Sequence, residues 1–244
     1  MFYYEQTKNF DYTPYCNGTY FMGPSVIRLL DEANLPLKKG MRILDLGCGK
    51  GLSSLYLAKE YDVTVFAADL WISPTENYEF FRSLGMEEQI FPIYADANAL
   101  PFAEGFFDAV ISVDAYHYFG AEAGFFSEKI LPLLKPDGFA ALIFPGWKAP
   151  LPTPVPQELL LSWTEEDLTS FQPIQWWKKL FEQEEHTRLL SMAELSCVDE
   201  AWADWLATDN PYAIGDRPSM EHGAGKYMNL IFLTACHKSK PLVN

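Results

Sequence analysis

Cysteine is scarce in this chain. The 244 residues include four cysteines, Cys16, Cys48, Cys197 and Cys236, and no two of them have C-x-x-C spacing. This pattern argues against both a structural zinc site and a disulfide scaffold. A reducing, cytoplasmic location is the simplest expectation.

Basic residues are also few. Lysine and arginine total 18 against 33 aspartates and glutamates, which gives a formal net charge of -15. A chain this acidic repels phosphate groups, so we expect neither nucleic acid nor an anionic membrane surface as a partner. A cationic molecule such as an amine would be attracted, although most of these charges fit an ordinary solvated surface.

Long hydrophobic runs are absent. The longest, residues 139–145, is far too short to cross a bilayer and suits a buried strand. The first residues do not combine a basic region with an apolar run, so no signal peptide is expected. We expect a single domain over residues 1–244 with one large core.

Aromatic residues, in contrast, are abundant at 16% of the chain. They suggest an aromatic-lined cavity in addition to the core. Residues 1–22 form an aromatic arm that we expect to pack over the domain, either as a lid on a ligand or as a surface extension. Its aromatic residues include Tyr3, Tyr4, Tyr12, Tyr15, Tyr20 and Phe21.

Hydrophobic patterns and turn residues predict strands that alternate with helices. The final strand follows a polar loop at 209–225, and residues 187–195 fit either a sixth strand or a strand followed by the start of a helix. Strands are predicted at 43–46, 62–68, 89–94, 109–113, 139–144 and 227–235, and helices at 52–58, 73–84, 120–134, 174–185 and 200–206. A further helix is predicted to open at 23–25 and to end at 34–36.

Residues 43–51 connect the first strand to the next helix through a glycine-rich turn. The glycines follow the pattern G-x-G-x-G, with Asp45 two positions before Gly47. A dinucleotide-binding turn has the pattern G-x-G-x-x-G instead. The spacing therefore argues against a nicotinamide-dependent oxidoreductase, and Asp45 favours a ligand with a cationic amino group.

The segment from Leu44 to Gly51 resembles the first motif of class I S-adenosylmethionine (SAM) dependent methyltransferases. The resemblance implies a Rossmann-like α/β fold. In this fold a seven-stranded, mostly parallel sheet has an antiparallel last strand and helices on both faces. It also implies SAM as the cofactor and S-adenosylhomocysteine (SAH) as its product.

The same resemblance assigns cofactor contacts along the chain. Asp69 ends the second strand about twenty residues after the glycine turn, where a carboxylate accepts ribose hydroxyls. Asp96 matches the acid that binds the adenine amino group, and Ala97 the backbone donor beside it. The predicted cofactor residues are Asp45, Gly47, Cys48, Gly49, Gly51, Asp69, Leu70, Asp96, Ala97 and Val113.

The tail of the fourth strand points at the same edge of the sheet. By resemblance, Tyr116 and His117 would face the transferring methyl group, with His117 taking a proton and the Tyr116 hydroxyl positioning the acceptor. A histidine that only packs or caps is an equally good reading. The predicted substrate residues are Tyr15, Tyr20, Tyr118, Trp147 and Trp177.

The methyl acceptor is expected to be a small molecule, and an amine suits the acidic, aromatic-rich chain. O- or C-methylation of a quinone-like or phenolic molecule is the alternative, and a non-catalytic SAM-binding protein is another. No metal site is predicted, because Asp216, Glu221 and His222 match no ligand spacing. The sequence does not choose between a monomer and a homodimer.

Within the single domain we expect four regions. They are an arm or lid at 1–22, a SAM-binding core at 23–145, a substrate cap or insertion at 146–226, and a final antiparallel strand at 227–238.

Overall fold

A sheet of seven strands forms the centre of the molecule. The computed structural model describes residues 9–238, so Tyr3 and Tyr4 of the predicted arm lie outside the described residues. The strands follow the order β3-β2-β1-β4-β5-β7-β6. They are β1 Arg42–Leu46, β2 Thr64–Asp69, β3 Ile90–Tyr94, β4 Phe107–Val113, β5 Leu134–Trp147, β6 Thr187–Glu194 and β7 Met228–His237.

Only β7 runs against its neighbours, since it pairs antiparallel with both β5 and β6. The other described neighbours, from β3 across to β5, pair in parallel. This arrangement confirms the predicted fold class. It also resolves residues 187–195, which contain an edge strand, so part of the predicted cap region belongs to the sheet.

Helices cover both faces of the sheet. One face packs against α1, α2, α3 and α5, and the other against α4 and the turns at 126–133. Fully buried strand residues such as Leu44 and Ile43 contact opposite faces because side chains alternate along a strand. The helices are α1 Val26–Ala33, α2 Leu52–Tyr61, α3 Pro74–Ser83, α4 Ile174–Gln183, α5 Val198–Leu206 and α6 Pro211–Glu221.

The predicted helix at 120–134 is wrong in extent. The structure has a single π-helical turn at Phe126–Ile130, followed by a 3-10 turn at Leu131–Leu133. Pro132 has no backbone N–H to donate, so it cannot continue the hydrogen bonds of a regular helix here. Strand β5 then begins at Leu134, earlier than predicted, and its register with β4 shifts between Phe107 and Ala109.

The direction of chain crossing places the functional edge of the sheet. From β1 the chain moves outward to β2 and β3, and then returns across to β4 on the other side of β1. In open α/β sheets, ligands bind at such a reversal, outside the carboxyl ends of the strands. Within residues 9–238, no helix has the length and apolar character needed to cross a bilayer.

Candidate functional site

A cavity of about 350 Å³ opens at the carboxyl ends of β1, β2 and β4. We call it the main cavity. Eight of the ten predicted cofactor residues line it: Gly47, Cys48, Gly49, Asp69, Leu70, Asp96, Ala97 and Val113. The sequence therefore placed most of the predicted cofactor residues at one cavity.

The glycine-rich turn after β1 forms the floor of the main cavity. Gly47 has a φ of 76°, which favours glycine, and a Cβ at this position would clash with the Ala115 side chain after β4. The backbone of the turn therefore packs against the Ala115 side chain. The turn's backbone remains open to a ligand.

Asp69 holds this turn in place. Its Oδ2 accepts a hydrogen bond from the Gly49 backbone N–H at 2.8 Å. Its Oδ1 accepts from the backbone N–H groups of Trp71 and Ile72 at 2.7 and 2.8 Å. A carboxylate fixed in this way retains further lone pairs at the cavity wall, as acceptance from ribose hydroxyls requires.

Asp45 and Gly51, also predicted as cofactor contacts, do not line the main cavity. Asp45 is fully buried, and its Oδ2 accepts hydrogen bonds from the Ser53 and Ser54 hydroxyls, both at 2.6 Å. Burial raises the pKa of Asp45 to about 6, although the two serine hydroxyls oppose the shift. Its place in the structure is to tie β1 to α2 beneath the turn.

Gly51 instead begins helix α2. It is the N-cap residue with a φ of 81°, and a Cβ there would clash with the Phe81 ring. Asp45 and Gly51 therefore support the turn and do not line the cavity.

Asp96 and Ala97 lie at the opposite wall, after β3. The Asp96 Oδ1 accepts from the Asn98 backbone N–H at 2.8 Å and from the Asn98 side chain at 2.9 Å. These hydrogen bonds lower the pKa of Asp96. The carboxylate is therefore ionised near neutral pH and can accept from an amino group.

Asp114 lines the main cavity but was not predicted as a site residue. It follows β4 directly and has a φ of 56°, which is unusual for a residue other than glycine. Its carboxylate lies against Gly23 of the N-terminal segment, and no side-chain or backbone donor among residues 9–238 bonds to it. Burial raises its pKa to about 8, and the negative charge of Asp216 adds to the shift.

Asp216 on α6 is a second acid on this side of the molecule. Its two carboxylate oxygens accept from the Trp163 and Trp205 indole N–H groups, each at 2.9 Å. Burial raises its pKa, and the indole donors oppose that change. Burial raises the pKa of Tyr118, and the negative charges of Asp114 and Asp216 raise it further. The region beyond β4 is therefore both acidic and aromatic.

The predicted catalytic pair, Tyr116 and His117, lies behind the cavity wall. A 3-10 turn at Tyr116–Tyr118 directs both side chains inward, leaving each at most 2% exposed. Neither His117 ring nitrogen has a hydrogen-bond partner, and burial lowers the pKa of His117 to about 3. The structure gives these side chains no contact with the cavity, and we do not retain them as catalytic.

The predicted substrate residues divide into two groups. Tyr20 and Tyr118 line the main cavity, whereas Tyr15 packs on Phe80, with ring centroids 5.7 Å apart. Trp147 and Trp177 are buried at 3% and 0% exposure and do not reach the cavity. Trp177 contacts Phe144 on the opposite face of the sheet, so its helical spacing reflected core packing.

The N-terminal segment covers one side of the cavity. Phe21 is buried, Tyr20 packs on Phe80 at 4.6 Å, and the Asn210 side chain donates to the backbone carbonyls of Gly18 and Phe21. Of the two readings of the aromatic arm, this placement fits a lid.

Comparison with known proteins adds the decisive observation. Residues 44–142 match the sequence model of the methyltransferase domain family. This segment is similar to a methyltransferase domain. The match covers the glycine-rich turn, Asp69, Asp96 and the whole of β4.

Curated relatives of this methyltransferase domain act on different acceptors. The chain is 32% identical over 117 residues to ajmaline N-methyltransferase of Rauvolfia serpentina, covering 43% of this chain and 39% of that protein. It is 32% identical over 145 residues to 2-methyl-6-phytyl-1,4-hydroquinone methyltransferase of Synechocystis sp., covering 56% and 44%. The chain thus spans less than half the length of each of these relatives.

Solved structures share the fold of this chain. Phosphoethanolamine N-methyltransferase 2 of Haemonchus contortus, in complex with phosphomonomethylethanolamine and SAH, superposes with a TM-score of 0.67 at 16% identity. The superposition covers 92% of this chain and 56% of that one. The cavity fits SAM on its own evidence, because it combines an exposed backbone turn with carboxylates at two further strand ends.

Proposed function

We propose that this protein transfers a methyl group from SAM to the nitrogen of a small-molecule amine. The observation that carries the proposal is Asp114, a carboxylate that has no hydrogen-bond donor among residues 9–238 and that lines the main cavity beside the glycine-rich turn. Such a group at the carboxyl end of β4 is suited to accept from an ammonium N–H. The negative charge of the whole chain favours the same class of molecule.

Three parts of the chain would hold SAM. The backbone at Gly47 and Gly49 would receive its amino-acid end, Asp69 the ribose hydroxyls, and Asp96 with the Ala97 N–H the adenine edge. When bound, SAM supplies an electrophilic methyl group on a sulfonium sulfur. The protein therefore needs to orient the acceptor, exclude water and manage one proton.

Asp114 would manage that proton. An amine enters mainly as an ammonium ion, whose nitrogen has no free lone pair. Transfer of one proton from the nitrogen to the Asp114 carboxylate leaves a neutral amine and a neutral acid, and it frees the lone pair for bonding to the methyl carbon. A pKa of about 8 suits this exchange because it lies close to the operating pH.

Aromatic rings complete the acceptor site. Tyr118 lines the cavity next to Asp114, and Trp71 packs against it with ring centroids 5.3 Å apart. Aromatic faces attract ammonium groups by about 0.5–2 kcal/mol. The ajmaline relative is named as an N-methyltransferase, which supports the same choice.

Titration calorimetry with SAM and SAH tests the cofactor half of the proposal. We expect both to bind, and Asp69→Asn to weaken binding about tenfold or more, since hydrogen bonds to a charged group contribute about 1.5–3 kcal/mol. Asp137→Asn is the matched control because Asp137 is exposed and lies near the amino end of β5, at the end of the strands opposite the cavity. Absence of SAH binding to the unchanged protein would disprove the proposal.

A second assay tests the acceptor half. Labelled SAM is incubated with primary amines, phenols and hydroquinones, and methylated products are identified by mass spectrometry. We expect transfer to amines, and much slower transfer in Asp114→Asn with SAH binding intact. Binding of SAM without transfer to any acceptor would indicate a non-catalytic SAM-binding protein.

Methylation of a hydroquinone or phenol is the second candidate. The hydroquinone methyltransferase relative matches over 56% of this chain, the broadest match among the relatives described above. Products methylated on oxygen or ring carbon would favour this candidate over the amine.

A further inference from the structure

Large apolar side chains are exposed around the mouth of the main cavity. Trp71 is 69% exposed and Tyr212 is 75% exposed, the most exposed tryptophan and tyrosine among the described residues. Single exposed apolar residues are common, but a contiguous group around a cavity mouth marks a binding surface.

These residues line a second, shallower depression that we call the outer cavity. Its walls include Thr19 and Met22 of the N-terminal segment, Trp71 and Ile72 after β2, and Pro211 and Tyr212 at the start of α6. Met22, Trp71 and Ile72 also line the main cavity, so the two spaces are continuous.

The walls of the outer cavity are fixed from below. The backbone N–H groups of Trp71 and Ile72 donate to Asp69, and Asn210 caps α6 by accepting from the Tyr212 N–H at 2.9 Å. The Asn210 side chain also donates to carbonyls of the N-terminal segment. The apolar rings are thus held on anchored backbone while their faces remain open, which reduces the ordering cost of binding.

The positive charge at the boundary of the two cavities belongs to Lys50 and is already paired. Lys50 lines both, and its Nζ forms an ion pair with Glu76. The outer cavity therefore offers apolar and aromatic surface and is unsuited to a phosphate or carboxylate.

We propose that the outer cavity binds an aromatic or extended apolar body carried by the acceptor, whose amine reaches Asp114 in the main cavity. This inference rests on the proposed function and adds the substrate class: an amine with a bulky apolar substituent, in preference to a small polar amine. Trp71 and Tyr212 are the specificity-determining residues.

Binding to the complex with SAH tests this assignment without needing turnover. Calorimetry at saturating SAH compares 2-phenylethylamine with ethylamine, which share a primary ammonium group and differ in the aromatic body. We expect the aromatic amine to bind about tenfold or more tightly. In Tyr212→Ala this preference falls about fivefold, a size typical of one aromatic contact, while ethylamine binding is unaffected. Because Trp71 also borders the acceptor site, Trp71→Ala weakens binding of the aromatic amine more than binding of ethylamine.

Trp176→Ala is the matched control. Trp176 is a partly exposed tryptophan on α4, at 37% exposure, and lines neither cavity, so the preference should persist. Because Trp71 and Tyr212 are mainly exposed, their alanine variants should fold, and SAH affinity checks that they do.

Each other outcome is decisive. Equal binding of the two amines, or a preference unchanged in both variants, overturns the inference while leaving amine methylation standing. Failure of both amines to bind the SAH complex overturns the amine function itself. A dimer by light scattering that becomes a monomer in Trp71→Ala shows that a second copy occupies this surface, and also overturns the inference.

Discussion

Asp114 combines three unusual properties in one residue. It adopts a left-handed φ of 56°, its carboxylate has no protein donor among residues 9–238, and its pKa is raised to about 8. Residues held in sparsely populated backbone conformations cost of order 1–3 kcal/mol and cluster at functional sites. The strain is consistent with a side chain positioned for a ligand.

Replacing Asp114 with asparagine should change the pH dependence of stability. The folded protein binds this proton more tightly than the unfolded chain, whose ordinary pKa is 3.8, so the aspartate lowers stability as pH rises from about 4 to about 8. At pH 9 we expect Asp114→Asn to raise Tm by about 2–4 °C, the shift that 1 kcal/mol produces in a domain of this size. Thermal denaturation at pH 5 and at pH 9 measures the difference.

Asp114→Asn should also remove the rise of kcat/KM from the pH profile of activity. In the unchanged protein, kcat/KM for an amine rises through a limb near pH 8 as Asp114 ionises. The comparison with Asp137→Asn, which leaves the cavity intact, controls for a simple change of charge. An unaltered limb and unaltered Tm in Asp114→Asn would show that Asp114 does not titrate there.

Residue roles were predictable where a strand end fixes them and not where a short turn intervenes. Asp69 ends β2 and lines the cavity as the sequence predicted. After β4, the 3-10 turn at Tyr116–Tyr118 buries two side chains, and Tyr118 returns to the cavity. The position of Asp114 directly after Val113 was a usable signal, because the first residue past a parallel strand lies at the ligand edge.

At the scale of elements, the N-terminal segment depends on α6. Asn210 links the two, since it caps the helix through Tyr212 and donates to carbonyls of Gly18 and Phe21 at 2.9 and 3.2 Å. One side chain thus joins the wall of the main cavity to the helix that carries Asp216.

Asn210→Ala should therefore loosen the lid as well as the helix. Loss of the cap costs about 1 kcal/mol and each lost hydrogen bond about 0.5–1.5 kcal/mol, so we expect destabilisation of about 2–3 kcal/mol. SAH affinity should fall, because Tyr20, Phe21 and Met22 line the cavity. Calorimetry gives the affinity, and hydrogen exchange at the Tyr20 and Phe21 amides reports the loosening.

Ser73→Ala is the control for losing a cap alone. Ser73 caps α3 by accepting from the Thr75 N–H and makes no described bond to the N-terminal segment. If both variants were to weaken SAH binding equally, or if Asn210→Ala left the exchange of these amides unchanged, the link between α6 and the lid would be refuted.

Strands and helices whose apolar residues recur with a regular period were predicted well, whereas short turns were not. β1, β2 and β4 have continuous apolar runs that fit strands covered on both faces. Residues 120–134 have helical spacing, but Pro132 and the early start of β5 divide them into short turns. The pairing of β5 with β4 is a tertiary contact, and it determines where β5 begins.

For the whole molecule, the fold and the cofactor site follow from a contiguous stretch of sequence, and the acceptor site does not. Residues 44–142 carry the matched domain and most of the cofactor wall. The acceptor region is assembled from parts far apart in sequence: Met22, Trp71, Asp114 and Tyr212. Spacing in the sequence cannot reveal such a set.

The net charge of -15 leads to a prediction that separates the two acceptor classes. Salt screens attraction between separated charges, with a Debye length of about 10 Å at 0.1 M and about 3 Å at 1 M. For a cationic amine we expect KM to rise about threefold between about 20 mM and about 500 mM NaCl, because steering by the acidic surface is lost. A neutral phenol should show a KM that is nearly independent of salt, since it carries no charge to screen. Initial rates at saturating SAM measure both series, with SAH affinity at each salt concentration as the control for changes in the protein. An amine KM that stayed constant over this range would mean that the acidic surface serves solubility alone and does not contribute to acceptor capture.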